Sequence, residues 1–382
     1  MAFSLSNWVQ GIASTFGGGK EGSFLGIDIG TSSAKIVQLR ASHGAAVLET
    51  YGEIALGPYG GQPVGKTVKL SPEKTAEALT DLMKEANVTA RVGGVSVPFS
   101  ASLISVLNFP KVDEATLKRM VPIEARKYIP VPVSEVSLDW FVIPHDEMEH
   151  SALDRIQPTS PKPQGQEVLL VAIHNNAVSA LQMVMATAGI HADFYEIEIF
   201  GTVRSSLSHG LAPVLIVDIG ASTTKLYIVE RGIVRLTHLI SSGGQQMTET
   251  LGRSLNWEFE KAERVKRERG LQDSTAYSTD ENDRIKTALL STLSRLFSEI
   301  NRVLLSYGQR YNKNVSHVVL TGGGASLPGL SAHAKASLSV NVEVADPFAR
   351  TEAPAFLADV LREIGPGFSV SVGLVLRTLK KT

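Results

Sequence analysis

The chain has 382 residues, of which 43% are hydrophobic and 20% charged, a composition of globular proteins and a length that predicts two or three subdomains. Its 37 basic and 38 acidic residues leave a net charge of −1, which excludes a basic excess that would attract nucleic acid or acidic lipid. The absence of cysteine excludes disulfides, thiolate zinc sites and a cysteine nucleophile, and it fits a reducing cytosol.

Signals for export and membrane insertion are missing from the sequence. No run of about 18 apolar residues occurs, and the start MAFSLSNWVQGIASTF lacks the basic and apolar stretches of a signal peptide. We therefore expect a cytoplasmic protein without a transmembrane segment. Residues 1–22 are predicted to be an N-terminal appendage, either an amphipathic patch for a membrane surface or partner, or a frayed terminus. The apolar face of such a patch would contain Trp8, Val9, Ile12 and Phe16.

The first half of the globular part begins with three runs typical of strands, FLGIDIG, AKIVQLR and VLETYGEIAL. Ser71 as a cap, Pro72 at the first helical position and Glu73 in the first turn predict a helix to about Ala86. VGGVSVPF is predicted to be the next strand.

A middle region follows. A helix is predicted from about Glu114 to Tyr128, and VSLDWFVI is predicted to be a strand. The stretch 144–166 is rich in proline, polar and charged residues, which predicts a loop or a flexible insertion. EVLLVAIHN then predicts a strand and NAVSALQMVMATAG a helix that ends at Gly189.

The second half opens on VLIVDIGASTTKLYIVERGIVRLTHLI, which repeats the strand, turn and strand of the first half. Helices are predicted over about 244–268 and 281–310. VSHVVLTGGGASLPGL is typical of a buried strand that enters a glycine-rich turn, and FSVSVGLVLRTLKK is predicted to be a terminal helix. Its last turn has the basic residues that suit a helix C-terminus, Arg377, Lys380 and Lys381.

The repeated segments, residues 26–35 and 217–225, are the most informative feature. Both read as an apolar strand, Asp-Ile-Gly, a turn of small hydroxyl residues, a lysine and another apolar strand, and their aspartates, Asp28 and Asp218, lie 190 residues apart. Backbone N–H groups in such a turn converge on an anion, and glycine permits close approach. An aspartate at the strand end suits Mg²⁺, mostly through water. One copy alone is consistent with an ordinary hairpin, but two copies favour a clamp on one polyphosphate.

These motifs resemble those of the actin/Hsp70/FtsA superfamily. DIGTSSAK is similar to its first phosphate motif, VDIGASTTK to its second and VLTGGGASLPGL to its adenosine motif. Phe259–Lys266 resembles the superfamily's A-E-x-x-K helix, and YEIEIFGTVRS resembles its linker strand, whose acid lies near the γ-phosphate.

The motifs and this resemblance together imply a site for ATP and Mg²⁺. The phosphates would contact Gly30, Thr31, Ser32, Ser33, Gly220, Ser222, Thr223 and Thr224, and Lys35 would either reach a phosphate or point outward. Asp28 and Asp218 would organise Mg²⁺, and Glu198 would orient a water. The resemblance implies that Glu263 and Lys266 hold the ribose, and that Gly322, Gly323 and Gly324 contact the adenosine.

Within this superfamily the chain resembles the PilM family of type IV pilus assembly. The segment LNFPKVDEATLKRMVPIEARKYIPVPVSEVSLDW and the ending FSVSVGLVLR carry this likeness. It implies an α/β, actin-like (ribonuclease H-like) fold with two domains, 23–212 and 213–378, each on a mixed five-stranded sheet. An FtsA-like subdomain would be inserted at about 99–190. The basic amphipathic helix expected at the end of cell-division FtsA has no counterpart after Leu376, which favours PilM.

The resemblance implies an ATP-binding platform for type IV pilus or type II secretion-like assembly. It would recruit the cytoplasmic N-terminal peptide of a PilN-like inner-membrane protein, lie at the inner membrane through its partners, and hydrolyse ATP slowly at most. Pilus motor ATPases and self-association are further possible partners. Two alternatives stay open, a small-molecule kinase of the same superfamily and a polymerising cytoskeletal ATPase.

Two other patterns are rejected as sites. Residues 60–67 match the P-loop pattern G-x-x-x-x-G-K-[ST], but a P-loop requires a buried strand before it and a helix that starts at its lysine. Gly57-Pro58-Tyr59 precedes this match, and the predicted helix begins only at Pro72. His145 and His150 lie among acids in the polar stretch, where charge is usually solvated, so no metal site is predicted there.

Overall fold

The computed structural model describes residues 22–144, 165–208 and 210–379. The predicted appendage before Gly22, most of the polar stretch 144–166 with His145 and His150, and the terminal Lys380 and Lys381 lie outside the described residues. Three sheets and their helices make up the described part. None of these helices is both long enough and apolar enough to cross a membrane.

The strands, in chain order, are β1 (Gly22–Ile29), β2 (Ser33–Ser42), β3 (Ala45–Ala55), β4 (Val92–Val97), β5 (Ser102–Pro110), β6 (Val136–Val142), β7 (Gly165–His174), β8 (His191–Ile197), β9 (Val214–Ile219), β10 (Thr224–Glu230), β11 (Ile233–Ile240), β12 (His317–Thr321) and β13 (Asn341–Val344).

The α-helices are α1 (Pro72–Glu85), α2 (Glu114–Ala125), α3 (Asn175–Thr187), α4 (Glu198–Ser206), α5 (Gly244–Leu255), α6 (Phe259–Glu268), α7 (Thr279–Tyr311), α8 (Leu330–Ser337), α9 (Ala358–Ile364) and α10 (Ser369–Leu379). Short 3₁₀ turns connect several of them, among them Gly57–Gly60, Gly323–Ser326 and Gly365–Phe368.

Two five-stranded sheets have the same design. Their orders are β3-β2-β1-β4-β8 and β11-β10-β9-β12-β13. In each, an antiparallel three-stranded meander is extended by two parallel strands. The central strands are apolar because both faces are covered, and Leu25, Ile27, Leu215, Ile216 and Val217 are fully buried. The mixed five-stranded sheets of the sequence prediction are therefore confirmed.

A third sheet, of order β5-β7-β6, shares no strand with the other two. Helix α2 covers one of its faces, where Leu117 and Val121 pack with Val168 and Leu170. The opposite face of β7 presents Leu169 and Val171 to the core of the first large sheet. Because successive side chains of a strand point to opposite faces, the continuous apolar run VLLVAI of β7 suits a strand covered on both sides.

The terminal helix α10 is buried against the first sheet and α4. A Cβ added to Gly26 would lie 1.9 Å from the Ser371 carbonyl oxygen, and one added to Gly373 would lie 1.9 Å from that of Gly201. These glycines therefore allow strand and helix backbones to approach closely. The prediction that this segment is a helix is confirmed.

The structure corrects the sequence predictions in four places. The helix expected over 244–268 is two helices, because Asn256 adopts a left-handed conformation (φ 55°) that ends α5. The helix expected to reach Tyr128 ends at Ala125. The linker expected as a strand around Glu198 is strand β8 followed by α4, and Glu198 is the first helical residue. Strands β5 and β13 and helices α8 and α9 were not predicted.

The rejection of the P-loop is confirmed. The matching stretch follows the 3₁₀ turn Gly57–Gly60 rather than a strand, and the next helix begins only at Pro72. The cap of that helix is as predicted, because the Ser71 hydroxyl accepts the Lys74 N–H at 3.4 Å.

Candidate functional site

The two repeated turns have the same geometry. The Gly30 N–H donates to the Ser33 carbonyl at 3.0 Å, and the Gly220 N–H donates to the Thr223 carbonyl at 2.9 Å. The cross-strand registers also correspond, because β1 pairs Asp28 with Lys35 and β9 pairs Asp218 with Lys225. The duplicated sequence therefore produces a duplicated structure.

The turns face one another across a cleft between the two large sheets. The Thr31 hydroxyl donates to the Ser222 hydroxyl at 3.2 Å, although the residues are 191 positions apart. The tips of both turns are accessible: Gly30 and Thr31 are exposed, and Gly220 and Ser222 are partly exposed. Glycine and hydroxyl residues from two sheets thus converge on one place.

Three carboxylates lie behind the turns. The Ser96 hydroxyl donates to Asp28 Oδ1 at 2.7 Å. The Lys225 ammonium lies 2.9 Å from Asp218 Oδ2 and 2.6 Å from Glu198 Oε2, and all three side chains are largely buried. Lys225 therefore links the start of α4 on the first sheet to the second turn.

Burial and neighbouring charges both shift the pKa values of Glu198 and Lys225. Burial raises the pKa of Glu198, and the nearby Asp218 and Asp28 raise it further, while Lys225 lowers it. Burial alone lowers the pKa of Lys225, but the two carboxylates beside it raise its pKa well above the ordinary value. Lys225 therefore stays positively charged inside the site. The negative charges of Asp28 and Asp218 lie close enough to Glu198 to affect its pKa.

The corresponding lysine of the first turn is placed differently. The Lys35 ammonium lies 3.0 Å from Glu53 on the neighbouring strand, and it donates to the Ser33 hydroxyl at 2.9 Å. It contacts neither Asp28 nor Glu198 through any hydrogen bond among the described residues. The Lys35 side chain is largely buried and pairs with Glu53 instead of Asp28 or Glu198.

Helix α6 contributes a second charged pair at the other end of the cleft. The Lys266 ammonium lies 2.6 Å from Glu263 Oε2 and donates to the Gly244 carbonyl at 3.1 Å. The same carboxylate accepts the Thr248 hydroxyl at 2.5 Å. Gly244 in turn donates its N–H to the Gly220 carbonyl at 2.9 Å, so the pair is connected to the second turn.

The third glycine-rich element packs directly on the second turn. Gly322 has φ +80°, and a Cβ there would lie 2.4 Å from Asp218 Oδ1. A Cβ on Gly324 would lie 2.3 Å from Ile219 Cγ2, whereas one on Gly323 would meet nothing within 4 Å. Gly322 and Gly324 are therefore required by packing, and Gly323 is the member of the three that opens on free space.

A bridging segment, residues 61–68, crosses between the two halves of the site. The Val68 N–H donates to the Thr31 carbonyl at 2.9 Å, on the back of the first turn. The adjacent Thr67 N–H donates to Gln245 Oε1 at 2.7 Å, in the first turn of α5. The segment that resembles a P-loop thus connects the two halves at the cleft.

We predict that Gly65→Ala destabilises the protein far more than Gly61→Ala, although both glycines lie in the bridging segment. Both glycines have positive φ (+88° and +66°), so both substitutions carry the left-handed strain of about 1–2 kcal/mol. Only at Gly65 would the new methyl lie 2.6 Å from the Glu263 carboxyl carbon, whose hydrogen bonds prevent it from moving. An additional loss of about 1–3 kcal/mol is expected for Gly65→Ala. Urea unfolding of both variants measures it, and equal losses would show that the segment does not pack tightly on α6.

The groups around the two turns suit a bound anion, with Mg²⁺ held mainly by that anion. Among the described residues, no group of three or more His, Asp or Glu side chains is arranged to hold a metal ion. Asp28 and Asp218 each have one oxygen engaged, by Ser96 and Lys225. Such carboxylates fit a Mg²⁺ bound mainly by phosphate oxygens and water, because Mg²⁺ keeps much of its hydration shell.

Most of the residues named from the sequence come together at this cleft. Lys35 pairs with Glu53, and Thr224 is buried with its hydroxyl donating to the Ser242 carbonyl at 2.8 Å. Three contributors were missed: Lys225, Ser96 and the bridging segment. Lys225 stands in the quoted motif VDIGASTTK, and its position opposite Asp218 in a hairpin was a signal for its role. No local signal marks Ser96, because β4 joins β1 only in the folded sheet.

The repeated sheets and the facing turns define an actin-like fold. Comparison with protein families identifies a match to the type IV pilus assembly protein PilM model over residues 26–379, and the chain therefore belongs to this family. The cell division protein FtsA of Enterococcus hirae is 23% identical over 368 residues, covering 86% of this chain and 79% of that protein. The FtsA of Pseudomonas aeruginosa is 23% identical over 392 residues, covering 94% and 89%.

Solved structures agree on the fold. A PilM-PilN type IV pilus biogenesis complex is similar with a TM-score of 0.75 and 24% identity, covering 93% of this chain and 98% of that one. The ethanolamine utilization protein EutJ from Carboxydothermus hydrogenoformans is similar with a TM-score of 0.53 and 14% identity, covering 97% and 95%. The actin-like fold class of the sequence prediction is confirmed, and so is the assignment to type IV pilus assembly.

Proposed function

We propose that this protein binds ATP in the cleft between its two turns and, in that state, serves as a platform for an inner-membrane partner of type IV pilus assembly. The observation that supports this proposal most is the hydrogen bond between Thr31 and Ser222, because it places the two similar turns next to one another. Backbone N–H groups of both turns would surround the phosphates. Mg²⁺, next to Asp28 and Asp218, would supply charge neutralisation.

At the opposite end of the cleft, Glu263 and Lys266 would hold the ribose. Gly322, Gly323 and Gly324 would lie along the adenosine, and the open space beside Gly323 supports this placement. We also propose that the chain has two domains, 23–212 and 213–378, with a subdomain inserted at about 99–190. Nucleotide would then contact both domains and fix their relative position.

The arrangement favours binding over rapid hydrolysis. Glu198, the group expected to orient a water, accepts the Phe99 N–H on Oε1 at 2.6 Å and lies 2.6 Å from Lys225 on Oε2. Both oxygens of Glu198 are therefore engaged. Burial and the nearby Asp218 and Asp28 also disfavour the ionised form of this carboxyl. A scaffold that changes state slowly, rather than a kinase with a positioned base, is the function that this geometry supports.

The proposed partner is the cytoplasmic N-terminal segment of a PilN-like inner-membrane protein. The similarity to a chain of a PilM-PilN complex supports it. The protein would lie on the cytoplasmic side of the inner membrane through this partner. Pilus motor ATPases and a second copy of the chain are further proposed partners.

The test is a pull-down of the PilN-like N-terminal peptide with and without ATP, for the wild type and Asp218→Ala. We expect ATP to increase capture by the wild type and to have no effect on the variant, with the fold of the variant checked by circular dichroism. ATP affinity that is unchanged in a folded Asp218→Ala would remove the site assignment. Rapid ADP release with a small-molecule acceptor would instead indicate a kinase.

A further inference from the structure

A lysine ammonium lies behind the second turn, between carboxylates from the two sides of the cleft. The Lys225 ammonium is 2.9 Å from Asp218 Oδ2 and 2.6 Å from Glu198 Oε2, and its side chain is 12% exposed. Asp218 is on β9 of the second large sheet, whereas Glu198 follows β8 of the first. The ammonium therefore occupies a position between two carboxylates that a divalent cation could otherwise share.

The carboxylate of Asp218 has little room for a second cation. Its Oδ2 accepts a hydrogen bond from Lys225. Its Oδ1 is packed against Gly322, since a Cβ added to that glycine would lie 2.4 Å from this oxygen. The whole residue is 5% exposed. Because Mg²⁺ usually keeps several of its waters, it needs more space than the surroundings of Asp218 provide.

Asp28 of the first turn differs from Asp218 in both respects. It is partly exposed, and the Ser96 hydroxyl donates to its Oδ1 only. Its cross-strand neighbour Lys35 pairs with Glu53 instead. In the part of the chain that the structure describes, no hydrogen bond reaches the other oxygen, Asp28 Oδ2. That oxygen can accept a hydrogen bond from a water molecule of a hydrated cation.

The Lys225 ammonium has one more donor than its two carboxylate partners use. A lysine has three N–H donors, and within the described ranges only Asp218 and Glu198 accept from this one. The two carboxylates also raise the pKa of Lys225 well above its ordinary value, so its charge persists at neutral pH. Because Lys225 is only two positions beyond Thr223, whose carbonyl closes the second turn, a phosphate held there would meet a fixed positive charge.

We propose that Lys225 takes the place of a divalent cation at the second turn, so that the protein binds ATP with no metal ion at Asp218. The inference rests on the proposed nucleotide function and specifies its chemistry. Asp28 alone is left for Mg²⁺, and Asp218 acts on the phosphates by holding Lys225 in position. The protein therefore keeps most of its ATP affinity when divalent cations are removed.

The test compares the dissociation constant of ATP in Mg²⁺ with that in EDTA, measured by equilibrium dialysis on the full chain. For the wild type we expect the two values to differ less than about tenfold. Lys225→Met removes the fixed charge, so its ATP binding should depend on Mg²⁺, with a difference of at least about a hundredfold. The matched control is Lys286→Met, which breaks a surface ion pair with Asp273 and should keep the small difference of the wild type.

A second readout uses no nucleotide. In Lys225→Met the carboxylates of Asp218 and Glu198 lose their cation, so this variant should bind Mn²⁺ more tightly than the wild type, as measured by the electron paramagnetic resonance of free Mn²⁺. Equal Mn²⁺ affinities of the two folded proteins would overturn the inference.

The wild type alone also decides the question. A loss of ATP affinity of more than about tenfold in EDTA would overturn the inference and leave the proposed function standing. A folded Lys225→Met whose dependence on Mg²⁺ equals that of the wild type would do the same. A wild type that binds no ATP in either buffer would instead remove the proposed function, and the inference with it.

Discussion

Glu196→Gln is expected to destabilise the protein by about 3–5 kcal/mol, the effect of removing one member of a buried ionic network. Glu196 is 1% exposed and lies between Arg204, 4% exposed, and Arg377 of α10, 12% exposed. Arg204 donates to both carboxylate oxygens, at 2.8 and 3.1 Å, and also to the Gly373 carbonyl. Without the charge of Glu196, two buried guanidinium groups remain next to each other.

The measurement is the thermal unfolding midpoint, which should fall by roughly 10 °C for a loss of this size in a protein of this length. Asp359→Asn is the matched control, because it breaks a single exposed pair with Arg362 and should leave the midpoint unchanged. A Glu196→Gln variant as stable as Asp359→Asn would show that the network does not hold α10 in place.

The same network predicts a dependence on pH. Burial alone would raise the pKa of Glu196, but Arg204 and Arg377 hold it below the ordinary value. A group with a lowered pKa contributes stability that is present above its unfolded pKa and is lost as pH falls through the folded one. The difference in stability between the wild type and Glu196→Gln should therefore be full at neutral pH and shrink on acidification below the ordinary range of glutamate.

Lys225→Met is expected to weaken ATP binding at least about 30-fold, or 2 kcal/mol, because it leaves Asp218 and Glu198 as unpaired buried carboxylates beside the phosphates. The double variant Lys225→Met/Glu198→Gln should regain part of the lost affinity, since it removes one of the two charges. Titration with a fluorescent ATP analogue measures both variants.

Lys35→Met is the natural control for this experiment. It removes the equivalent lysine of the first turn, which pairs with the partly exposed Glu53 rather than with a buried acid. Its effect on ATP affinity should be at least tenfold smaller than that of Lys225→Met. Equal effects of the two substitutions would contradict the asymmetry that the structure shows.

The sequence was sufficient where the signal is local. Each Asp-Ile-Gly turn, the Ser71 cap and the long helix α7 depend on neighbouring residues, and each was predicted close to its observed position. The fold class was predicted from the resemblance of the two turns and the glycine-rich motif to those of the actin/Hsp70/FtsA superfamily. The break between α5 and α6 was missed because asparagine at a left-handed position is only a weak signal.

The remaining features depend on contacts that no window of sequence contains. β8 ends at Ile197 and α4 begins at Glu198, with no turn residue between them. The sequence of both elements therefore resembled a single linker strand. Lys35 and Lys225 occupy equivalent places in the repeat, and only the presence of Glu198 beside one of them gives the two lysines different partners. The close packing of Gly65 on Glu263 likewise joins residues 198 positions apart.

The central claim is that both turns hold one nucleotide. The most direct measurement is calorimetric titration of ATP into the wild type, Ser32→Asp and Ser222→Asp, with Ser294→Asp, an exposed position on α7, as the control for added charge. A carboxylate in either turn should repel the phosphates, so we predict that each turn variant loses ATP binding while Ser294→Asp keeps it. ATP affinity that survives in either folded turn variant would contradict a clamp formed by both turns.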